Sequence, residues 1–96
     1  MHRKLIGYLT VDSGQLFITD PGYLRNWQHG EYTQGVEPDN SYARVTTFMF
    51  ENDGYGEIEN GIVVGVDGDG YYPVYALEDE DGHLIKLEVV FQPEQS

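Results

Sequence analysis

Apolar positions in this chain recur mostly at period two, in short runs separated by glycine, asparagine and aspartate. "KLIGYLTV" (4–11) and "QLFIT" (15–19) flank Asp12-Ser13-Gly14, where Gly14 can adopt positive φ and close a tight hairpin connection. "DPGYLRNWQ" (20–28) departs from alternation and reads as a short helix. Asp20 caps its start, Pro21 suits the first helical position, and Leu24 and Trp27, three apart, both face the sheet. From Gln28 to Asn40 the chain is polar and rich in turn formers, a loop long enough to carry function. "SYARVTTFMF" (41–50) alternates as a strand, with Ala43, Val45, Thr47 and Met49 on one face.

Asn60-Gly61, between "GEIE" and "IVVGV", is the strongest short hairpin signal, because both residues tolerate positive φ. "DGDG" (67–70) separates that run from "YYPVYAL" (71–77), which sends Tyr71, Pro73, Tyr75 and Leu77 to one side and Tyr72, Val74 and Ala76 to the other. Pro73 has no amide donor, so this strand is expected at an edge or bulged. The last run places Ile85, Leu87, Val89 and Phe91 on one face. Six or seven strands and one short helix predict an all-β fold, a small antiparallel barrel or two-layer sandwich connected as a meander. With 96 residues, the chain is expected to form one acidic β-rich domain, 1–96, around one modest core.

Composition sharpens the functional side. Seventeen acids against five bases give a net charge of −12, and the imbalance is lopsided. Residues 1–48 hold five acids and four bases, whereas residues 49–96 hold twelve acids and one base, Lys86. Direct nucleic-acid binding needs a basic face and is not expected. Absence of cysteine removes disulfides and thiolate chemistry. No apolar run reaches membrane-span length, and "MHRKLIGYL" is too short for a signal peptide, so a soluble cytoplasmic protein is expected.

Acids recur two apart at Glu57/Glu59, Asp67/Asp69, Glu78/Glu80 and Asp79/Asp81. On a strand, such pairs share a face about 6.6 Å apart, close to the spacing of phosphates along a nucleic-acid strand. A rigid anionic row of this kind would suit a protein whose basic surface normally holds nucleic acid. The plain alternative is that these charges keep the chain soluble and block edge-to-edge pairing.

Other chemistries fit less well. An EF-hand-type register places Asp79, Asp81 and Glu88 at ligand positions but puts Leu77 at the first, on strand-like flanks. These three are weak calcium candidates, and neither a metal nor a cofactor is expected. Asp67 and Asp69 alone are better read as turn residues. His2, His29 and His83 lie at a terminus, in a loop and beside a turn, and no nucleophile elbow, phosphate loop or zinc-type histidine pair occurs, so catalysis is not expected. Eight tyrosines and one tryptophan mostly serve packing, but Trp27, His29, Tyr72 and Tyr75 could wall a shallow aromatic pocket for a planar ligand, closed by the 28–40 loop.

"VDSGQLFITDPGYL" with "GDGYYPVYALEDEDGHLIKLEVVF" resembles a group of small bacterial and bacteriophage proteins that form a domain of unknown function. The resemblance rests on Ser13-Gly14, Asp20-Pro21, Gly68-Asp69-Gly70, Tyr72-Pro73-Val74-Tyr75 and Asp81-Gly82, and covers about forty residues at the two ends. Some of the group carry cysteine after the Asp-Pro where this chain has Gly22, so a role resting on that thiol is absent here. The resemblance implies a compact β-rich domain in a phage or mobile-element setting, where small acidic proteins often block host defence machinery. The combined expectation is a non-catalytic inhibitor or adaptor docking on a basic protein surface through the eight paired acids. Small-ligand sequestration at the aromatic pocket and calcium binding at the acidic turn are the alternatives, and the oligomeric state, a dimer included, is open.

Overall fold

The computed structural model describes residues 1–91 and is mostly strand. In chain order it contains β1 (His2–Val11), β2 (Gln15–Thr19), a 3-10 helix (Pro21–Asn26), α1 (Ser41–Glu51), β3 (Tyr55–Ile58), β4 (Gly61–Gly65), β5 (Gly70–Glu78) and β6 (Leu84–Val89). The strands form two open antiparallel sheets of three, ordered β1-β5-β6 and β2-β4-β3, and neither closes into a barrel. The all-β expectation therefore holds, but the meander does not. β1 and β2 are not a hairpin; each joins a different sheet.

Two compact units result, one from Met1–Gly14 with the chain from Val66 onward, the other from Gln15–Gly65. No break in composition marks this division. Among the described residues no helix is long and apolar enough to cross a membrane.

In the unit spanning Gln15–Gly65, the stretch 41–51 is a helix and not the expected strand. Asn40 explains its start. Its backbone is extended, and its side chain accepts a hydrogen bond from the Ala43 amide at 2.8 Å. The alternating pattern misleads because a helical stripe also runs through it: Ser41, Val45 and Met49 recur every four residues and are all buried. Val45 and Met49 pack with fully buried Val63 of β4, and Phe17, Trp27, Phe48 and Ile58 close around them. The 3-10 helix forms as expected, with the Asp20 carboxylate accepting from the Gly22 amide. Leu24, however, is exposed; only Trp27 turns inward, against Phe17 with ring centroids 5.2 Å apart.

The β3–β4 hairpin forms one residue earlier than the sequence suggested. Ile58 pairs with Gly61, so Glu59 and Asn60 are the two turn residues, at φ 54° and 63°. Positive φ at both matches the twist of a two-residue hairpin. Gly61 is required for space instead: a Cβ there would lie 2.5 Å from the Ile18 carbonyl oxygen.

In the other unit, Pro73 sits in the central strand, contrary to the edge expectation. Its carbonyl accepts from Val90, so its nitrogen also faces the β6 side. The regular β5–β6 ladder ends at Val74–Val89, so the missing amide falls at the frayed end of the pairing, where Pro73 and Val90 share one bond in place of two. The "DGDG" segment is a clasp. Gly14 donates to the Asp69 carboxylate at 2.8 Å and accepts from Val66 at 2.9 Å, while the Tyr72 hydroxyl donates to the Gly68 carbonyl at 2.6 Å.

Candidate functional site: the acidic turns

None of the four acid pairs lies wholly within a strand, so the expected anionic rows do not form. Glu57 is exposed on β3, but Glu59 occupies the left-handed hairpin turn and pairs with Arg44 of α1. Asp67 and Asp69 lie in the loop before β5, and Asp69 is committed to the Gly14 amide. Glu78 ends β5 and pairs with Lys4 at 3.4 Å. Asp79, Glu80 and Asp81 form the β5–β6 turn. Because β5 has nine residues, the loop holding Asp67 and Asp69 and the turn holding Asp79 to Asp81 sit at opposite ends of the strand, roughly 25 Å apart. These two acidic segments do not form one continuous patch.

The β5–β6 turn carries the most internal hydrogen bonds of these acidic segments. Asp79 accepts from the Asp81 and His83 amides, both at 2.9 Å, and its own amide donates to the His83 carbonyl at 3.0 Å. Gly82 takes φ 84° to complete the turn. One carboxylate thus fixes the backbone on which Glu80 and Asp81 are displayed, and both of those are exposed. Replacing Asp79 with alanine is expected to cost about 1 kcal/mol and to broaden the amide resonances of residues 79–83, because two charge-assisted bonds at a half-exposed site are lost. Unchanged resonances there would show that the turn holds without it.

His83 joins this turn through a signal the sequence carried, the 79-x-81-x-83 spacing. Its imidazole nitrogen lies 3.5 Å from the Asp79 carboxylate, and ligand atoms of Asp79, Asp81 and His83 all fall within 4.8 Å of one another. Glu88 is not with them: it sits on β6 and pairs with Arg3 at 2.9 Å. The expected Asp79, Asp81 and Glu88 set is not assembled.

The aromatic candidates are already engaged within their own units. Trp27 belongs to the core around Val63, and His29 packs on Tyr42 at 4.9 Å between centroids. Tyr72 is buried with its hydroxyl bound, beside Phe91, and the Arg3 guanidinium lies 3.6 Å over the Tyr75 ring. The 28–40 loop does form a cleft of about 500 Å³ with the start of α1. Its walls include His29, Glu31, Val36, Glu37 and Asp39, and no tyrosine or tryptophan among the described residues. The helix start gives no free donor to an anion there, since the Ser41 and Tyr42 amides donate to Gln28, and those of Ala43 and Arg44 to Asn40.

Comparison with known proteins finds no matching family model, no matching curated protein and no matching solved structure.

Proposed function

We propose that this chain is a non-catalytic acidic binding protein, an inhibitor or adaptor, whose β5–β6 turn docks on a basic, nucleic-acid-binding surface of another protein. One observation carries the reading: Asp79 holds the turn, while Glu80 and Asp81 are exposed and make no ion pair among the described residues. Carboxylates on a pre-ordered turn give up little conformational freedom on docking. Arg3, Lys4 and Arg44 are each occupied by another acid, so none of these bases offsets Glu80 or Asp81. Opposite charge on a partner then sets the encounter rate and the orientation.

Pull-down with the wild-type chain and with a Glu80→Gln/Asp81→Asn variant, quantified side by side, tests this. The partner should elute by about 0.5 M salt, where screening acts within a few ångströms. Its recovery should fall at least tenfold with the variant, which leaves Asp79 and the turn intact. A partner retained equally by both would reject the proposal.

A second reading, small-ligand capture, draws on the cleft beneath the 28–40 loop. Its three carboxylates suit a small amine or other cationic metabolite better than a nucleotide. Thermal stabilisation by polyamines, lost in Glu31→Gln/Glu37→Gln, would support it; a flat response to cationic metabolites would remove it.

A further inference from the structure

We infer that β1 is a self-association edge, through which two copies of this chain pair antiparallel. β1 is an outer strand of its sheet, ten residues long, and among the described residues nothing pairs with its free side. Such an edge presents a row of unpaired amide and carbonyl groups, a template for another strand. Its side chains add to that. Leu5 and Tyr8 sit on the sheet face that carries Pro73 and Tyr75, Leu9 sits on the Tyr72 face, and all three are exposed, as is Ile6. An added strand would find apolar neighbours on both faces.

Charge selects the occupant. The chain carries −12, so two copies repel at most approaches. Residues 1–11 contain no acid, and Arg3 and Lys4 offset Glu88 and Glu78 on the neighbouring strands, which leaves β1 an edge with little net charge in a strongly anionic chain. Antiparallel pairing about a two-fold axis near Ile6-Gly7 also sets the two Asp12 residues at opposite ends of the strand pair, each beside the charge-balanced start of the other strand. The register shift between Leu5 and Gly7 leaves Ile6 without a partner on β5 and falls at that axis. Each regular arm, His2–Leu5 or Gly7–Val11, would then meet the opposite arm of its mate. One strand pair buries less than the ~800 Å² per partner of standard complexes, so a dissociation constant on the order of tens of micromolar is expected.

Sedimentation equilibrium on the full chain, from low to several hundred micromolar, should show a reversible monomer–dimer equilibrium. An Ile6→Lys/Tyr8→Lys variant should associate at least tenfold more weakly, with an unchanged circular dichroism spectrum. A matched Leu84→Lys/Leu87→Lys variant on the opposite edge should associate like the wild type. Hydrogen exchange of the wild type provides a readout free of mutation: amide protection should rise with concentration in residues 2–11 and nowhere else in the sheet. A monomer at every concentration overturns the inference. So does a dimer that survives Ile6→Lys/Tyr8→Lys, one lost only on the β6 edge, or protection that rises elsewhere.

Discussion

Met49→Ala should lower unfolding stability by about 3 kcal/mol and the melting temperature by about 10 to 20 °C. Met49 is 8% exposed and forms a buried cluster with Val45 and Val63, against which Phe17, Trp27, Phe48 and Ile58 pack, so truncation opens a cavity in the core of its unit. A 96-residue chain has little stability in reserve, and a loss of that size is a large share of it. Phe50→Ala, one residue on and 67% exposed, should cost less than about 1 kcal/mol. A paired measurement separates helix from strand. Thr46 is buried and accepts from the Gln15 side chain at 2.8 Å, whereas Thr47 is only partly covered. Thr46→Lys should therefore be the damaging change and Thr47→Lys the mild one. Strand alternation demands the reverse order, so denaturant melts of the two variants decide between them.

Gly61→Ala should cost about 1 to 3 kcal/mol, an overpacking penalty in a sheet that has no room for one carbon. The new Cβ would meet the Ile18 carbonyl oxygen at 2.5 Å and the Phe17 ring at 2.7 Å, so β2 must move away from β4. Asn60→Gly is the informative companion. Asn60 occupies a left-handed turn position, which glycine enters without strain, so that variant should stay within about 1 kcal/mol of the wild type. Equal tolerance of both changes would contradict the close approach of β2 to Gly61. Thermal melts and the intensity of the β3–β4 cross-strand contacts measure this.

These residues also mark how far the sequence could be read. Alternation in 71–77 put Tyr72, Val74 and Ala76 on one side, and all three are buried there, because a strand's side-chain period is fixed by its backbone. Positive φ at Gly14, the Asp20 cap and the long 28–40 loop were equally legible, since each follows from local geometry, whereas the hairpin expected across Gly14 does not form. The 41–51 segment was not. Its β-branched and aromatic residues favour a strand, and a ten-residue window fits periods of two and four alike. Asn40, read as the end of a loop, was the cap that settled the matter. Pro73 was misplaced for a different reason: whether a missing amide matters depends on where the neighbouring strand ends, and that is a long-range fact.

For the acidic residues the limit is the same. Sequence spacing found the Asp79–Asp81 turn and the excess of charge. It could not know that Arg44, Lys4 and Arg3 would neutralise Glu59, Glu78 and Glu88, or that Asp69 would fasten Gly14 from fifty-five residues away.

Chain order alone determined a cysteine-free, strongly anionic, strand-rich protein with its turns in nearly the right places, because charge and local backbone preference need no distant partner. Strand pairing, the helix, and the division of carboxylates into bound and free were decided only by folding. Those outcomes depend on contacts between residues tens of positions apart, which no local pattern encodes.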